Sequence, residues 1–169
     1  GLGDVYKRQI LGGYSLSGLF ALWAATQTNA LYGVAAASPS VWFPGWPEYE
    51  AAHPIQAQRV YLSLGDREEH TKNQTMAAVG DNIRTLHSAL IQRGKACTLE
   101  WNAGGHFKDA DLRTARAFAW IMEGKRQSND SYRCRWLPCG RFDYTGTDYK
   151  NSAAAYNCLL YTSPSPRDS

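Results

Sequence analysis

The stretch ILGGYSLSGLFALWA, Ile10 to Ala24, decides how this chain is read. An apolar run ends in two glycines, one serine follows, and apolar residues then resume at the spacing of a buried helix. Small residues stand at minus two, plus two and plus three from Ser15, namely Gly13, Ser17 and Gly18. They let a strand turn sharply into a helix, which exposes the Ser15 hydroxyl at the carboxyl edge of a sheet. The first helix amides then lie beside it, where the helix dipole favours a developing negative charge. An incidental serine in a glycine turn is the alternative, and the rest of the chain decides between the two.

Outward from the serine, short apolar runs alternate with longer helical segments. GVAAASPSVWF (33–43) is a strand stopped by Ser/Pro punctuation, and FPGWPEYEAAHP (43–54) is expected to be an irregular Trp/Pro loop. RVYLSLGD (59–66) is a third strand. Residues 71–93 carry Met76, Val79, Ile83, Leu86 and Leu90 at helical spacing and stop at Gly94, a C-terminal cap signal. ACTLEWNAGGH (96–106) is a fourth strand entering a glycine turn, and DADLRTARAFAWIME (109–123) is a closing amphipathic helix with Asp109 or Asp111 as its cap. Strands and helices alternating at this spacing predict an α/β layer with a mostly parallel sheet and flanking helices.

Both ends read differently. GLGDVYKRQ (1–9), back-translated and reverse-complemented in a shifted frame, spells CLLYTSPSP (158–166), and the DNA resembles a sequencing-library adapter read from both sides. Residues 1–9 and 158–169 are therefore expected to be adapter-derived and to lie outside the fold, with the gene truncated at both ends. Residues 10–123 form the expected domain. Residues 124–157 lose all apolar period and read either as a disordered extension or as out-of-frame sequence.

The net charge of +3 is spread along the chain with no basic stripe, which gives no case for nucleic acid. No run approaches the roughly 18 apolar residues of a membrane helix. Cys97 reads as core packing, and Cys134 and Cys139 are weak evidence for a disulfide or a metal. No cofactor or metal is expected; compartment and oligomeric state are not legible.

A serine nucleophile needs a base, and the base an orienting carboxylate, in the chain order serine, acid, histidine for this kind of sheet. After the third strand comes DREEH, where Glu68 is the expected acid and Asp66 and Glu69 stand as alternatives. His106 follows the fourth strand in a glycine turn and is the expected base, ahead of His53, His70 and His87. Tyr14, Trp42 and Trp46 are candidate substrate contacts, the two tryptophans on a loop that could overhang the serine.

GGYSLSGLFALWA, AAASPSVWF, YLSLGDREEHTKNQTMAAVGDN and LEWNAGGHF together resemble the esterase family of α/β-hydrolases that includes siderophore (enterobactin-type) esterases, feruloyl esterases, S-formylglutathione hydrolases and mycolyltransferase-like proteins. The likeness runs from Ile10 to Met122. It implies the C-terminal half of an α/β-hydrolase fold, a small-molecule ester substrate, Ser15 as nucleophile, His106 as base, Glu68 as acid and the Leu16 amide as one oxyanion donor. Some siderophore-esterase relatives work with a Ser-His pair alone, so a site without an acid also stands open. The family's second oxyanion donor lies near the start of the fold, before Ile10, so this fragment by itself is expected to be inactive. Acyl transfer on the same fold, or a non-catalytic binding domain, are the alternatives.

Overall fold

The computed structural model describes residues 9–127 and 159–161. Four strands run parallel: β1 (Gln9–Tyr14), β2 (Leu31–Ala37), β3 (Arg59–Gly65) and β4 (Ala96–Asn102). A short fifth strand, β5 (Leu159–Tyr161), pairs antiparallel with β1, and the sheet order is β4-β3-β2-β1-β5. Between the strands lie α1 (Leu16–Gln27), α2 (Trp46–Ala52), the short α3 (Gln74–Ala77) and α4 (Val79–Gln92), and α5 (Ala110–Gln127) follows β4. The fold is thus the expected α/β layer.

Strand alternation builds two cores. Val34 and Ala36 of β2 and Val60, Leu62 and Leu64 of β3 face Leu19, Leu22 and Ala25 of α1 and Ile83, Leu86 and Leu90 of α4. Ala35 and Tyr61, one position out of phase, face Ala117 and Ile121 of α5 on the opposite side, with Ile10 of β1. A sheet covered on both faces needs strands apolar throughout, and β1 to β3 are buried almost end to end. Each fully buried leucine or isoleucine contributes roughly 1.5–3 kcal/mol. No helix among the described residues is long and apolar enough to cross a membrane.

Four expectations change. The Trp/Pro segment contains a helix: Gly45 enters it at φ 79° and Pro47 sits in its first turn, where a missing N–H costs nothing. The helix expected over 71–93 is broken into α3 and α4, and a separate 3₁₀ turn (Glu68–His70) precedes them. The closing helix continues past Glu123 to Gln127. Finally, Leu159–Tyr161, from the segment expected outside the fold, hydrogen-bonds to Ile10–Gly12. This strand takes up the backbone groups that the outer edge of β1 would otherwise leave unpaired. The remainder of 124–157 and of the two termini lies outside the described residues.

Candidate active site

Because β1 to β4 are parallel, the turns that follow them gather at one edge of the sheet. Backbone bonds stitch these turns together: Ser15 N–H donates to Ala37 O, Ser38 N–H to Ser63 O, and Asp66 N–H to Asn102 O.

Ser15 stands between β1 and α1 with φ 57° and ψ −120°, a backbone region that L-residues rarely occupy and that costs about 1–3 kcal/mol. Its carbonyl accepts from the amides of Leu19 and Ser40, which hold the turn. Gly13 is glycine because a Cβ there would lie 2.5 Å from the Ser17 Cβ and 2.7 Å from the Ser17 carbonyl carbon. Leu16 is the first helical residue, so its amide has no acceptor within α1.

The His106 Nε2 lies 2.9 Å from Ser15 Oγ, and its Nδ1 lies 2.7 Å from Glu68 Oε2. A neutral ring that accepts from the serine hydroxyl must carry its proton on Nδ1 and donate it to Glu68. Ser40 Oγ is 3.4 Å from Ser15 Oγ on another side. The second oxygen of Glu68 accepts from Ser38 Oγ at 2.6 Å, Gly65 N–H at 2.7 Å and the Arg113 guanidinium at 3.1 Å. Burial alone would raise the Glu68 pKa, but hydrogen bonds from His106, Ser38 and Gly65 outweigh it and hold the carboxyl below its ordinary value. The neighbouring acids are engaged elsewhere. Asp66 accepts from the Gly104 amide at 2.7 Å, which shapes the histidine turn, and Glu69 pairs with Arg84.

Tyr14 is buried rather than facing a ligand: its hydroxyl donates to the His106 carbonyl at 2.5 Å and accepts from Arg113 at 2.7 Å. Trp42 packs against the core. Trp46 is largely buried, yet one side of it helps line an apolar groove of about 630 Å³ beside the serine turn. Leu16, Phe20 and Trp23 from α1 and Phe43 from the loop also line it and are all substantially exposed. Phe20 and Trp23 could have been found in the sequence: with Leu16 they make an i, i+4, i+7 stripe on a helix whose other face is already apolar.

Arg113 and Ser38 went unmarked in the sequence. Arg113 falls on the apolar stripe of α5, three residues after Ala110 and four before Ala117, so a buried cation was visible as a break in the pattern. Ser38, at φ 42°, carried no such signal.

No protein-family model matches the chain. Among curated proteins it is similar to the siderophore enterobactin esterase of Emericella nidulans, 29% identical over 124 residues, taking in 56% of this chain and 40% of that protein. Among solved structures it is similar to the siderophore hydrolase EstA from Aspergillus nidulans, with a TM-score of 0.48 and 23% identity over 68% of this chain and 48% of that one. The chain therefore spans less than half the length of either relative. It resembles esterases of the α/β-hydrolase fold, as the motifs imply.

Proposed function

We propose that this chain carries the nucleophile, base and acid of a serine carboxylic-ester hydrolase, with Ser15, His106 and Glu68 in those roles and the Leu16 amide as one oxyanion donor. The observation that supports the reading most is the continuous line from a strained Ser15 through His106 to Glu68, at 2.9 and 2.7 Å. In the reaction, Ser15 Oγ attacks the ester carbonyl while His106 Nε2 takes its proton. Glu68, kept ionised by its donors, stabilises the imidazolium. The tetrahedral oxyanion lies at the start of α1, against the Leu16 amide and the helix dipole. Collapse expels the alkoxide, which His106 protonates, and water then cleaves the acyl-enzyme by the same steps in reverse.

The groove lies beside Leu16 and Ser17, the two residues that follow the nucleophile, and its wall is almost wholly apolar and aromatic. This favours esters with a sizeable apolar or aryl group, and the siderophore ester named for the curated relative belongs to the candidates. One oxyanion donor is assigned here, and since the chain covers 40% of the curated relative, the activity is proposed for the complete gene product.

The test is hydrolysis of paired aryl and short alkyl esters by that product. Aryl esters should have the lower KM, Phe20→Ser should raise it several-fold with kcat little changed, and Ser15→Ala should lower kcat by about 10⁴-fold or more. Undiminished turnover by Ser15→Ala would remove the assignment.

A further inference from the structure

The guanidinium of Arg113 is 2% exposed and lies behind the reacting groups, touching neither Ser15 nor the groove. Its Nη2 donates to Glu68 Oε1 at 3.1 Å and to Ser38 Oγ. Its Nη1 donates to the Tyr14 hydroxyl at 2.7 Å, and that hydroxyl in turn donates to the main-chain carbonyl of His106. Two separate arms therefore run from one cation to one histidine. One ends on the imidazole, through the Glu68 carboxylate, and the other ends on the backbone, through Tyr14.

Hydrogen bonds from the Gly104 amide to Asp66 and from the Arg67 amide to Gly104 hold the turn that carries His106, where Gly104 takes φ 110°, but they do not fix the direction of the imidazole. A misplacement of the base by about 1 Å can cost on the order of 10²-fold in rate. A planar guanidinium suits the task because it presents its donors in a fixed fork, whereas a lysine ammonium can reach only one arm well. Burying a cation is unfavourable unless it is paired and hydrogen-bonded, and both terminal nitrogens of Arg113 are, while its buried Nε has no partner among the described residues.

We propose, on the basis of the esterase reading, that Arg113 is a positioning residue that fixes His106 at ring and backbone together by clamping Glu68 with one nitrogen and Tyr14 with the other. It acts through these two side chains and does not contact the ester.

The test compares Arg113→Met, Arg113→Lys and Tyr14→Phe in the complete gene product, with kcat expressed per active site by burst titration. Arg113→Met should lower kcat by about 10²-fold with KM within twofold of the parent. Arg113→Lys should recover part of that loss, and Tyr14→Phe, which keeps the ring and removes only the relay hydroxyl, should lower kcat several-fold. Parent-like kcat per active site in Arg113→Met, with only the amount of folded protein reduced, would overturn the proposal and leave the esterase reading intact. Should Arg113→Met fail to fold, Tyr14→Phe decides: an unchanged kcat overturns the two-armed clamp. If the parent turns over no ester and Ser15 takes no label, the esterase reading fails, and this proposal fails with it.

Discussion

Replacing Glu68 by Gln separates a three-residue site from a Ser-His pair, and the structure says how. Glu68 Oε1 accepts from Ser38, Gly65 and Arg113, three donors that leave no room for an amide NH₂. The Gln side chain must therefore keep its oxygen there and turn its NH₂ toward His106. The ring then has to accept at Nδ1 and carry its proton on Nε2, where it faces Ser15 Oγ as a donor. That is the wrong tautomer for a base, and the comparable substitution in a serine protease lowers kcat by about 10⁴-fold. Removing one charge of a buried pair costs about 3–5 kcal/mol, and because the Gln oxygen keeps its hydrogen bonds the destabilisation should fall at or below the lower end. The assay is ester turnover per titrated active site, alongside urea unfolding to show that the variant is folded. A kcat within threefold of the parent in folded Glu68→Gln would refute the tautomer argument and leave a Ser-His pair.

Other outcomes follow from the same geometry. Gly13→Ala sets a Cβ 2.5 Å from the Ser17 Cβ with backbone immediately behind, so it should destabilise by about 1–3 kcal/mol in urea unfolding and slow fluorophosphonate labelling of Ser15. The Glu68 carboxyl is held below its ordinary value of 4.5, so its contribution to stability is complete above that pH and is lost as pH falls through the lower folded value. The urea midpoint should therefore drop below about pH 4.5 in the parent, and less steeply in Glu68→Gln. Burial pushes the Cys97 thiol up to about 12. Its thiolate fraction at pH 8 is then about 10⁻⁴, and peptide mapping should find Cys97 unalkylated by iodoacetamide in the folded chain and alkylated in urea.

Much of this arrangement could be read from the residues. Strand and helix order was legible because apolar runs of strand length alternate with 3.6-period segments, and parallel strands follow from the crossovers. Ser15, Glu68 and His106 each end a strand run at a glycine-marked turn, so a parallel sheet had to bring them to one edge. The helix α2 was hidden because Gly45 and Pro47 read as loop punctuation, although Pro in a first turn also opens helices. Sequence position sets Trp42 and Tyr14 near the site, but it does not say which way a ring points, and both pack inward. Arg113 is hard to place from sequence because a helical arginine is ordinarily solvated, and the tertiary pairing with Glu68, 45 positions earlier, gives it a reason to be inside.

The most direct measurement is peptide mapping of the complete gene product after reaction with a fluorophosphonate, run beside His106→Ala. One phosphonylated residue is expected, Ser15, with labelling slowed by about 10³-fold or more without the histidine base. Label on any other residue, or equal labelling of Ser15 in His106→Ala, would contradict the esterase reading.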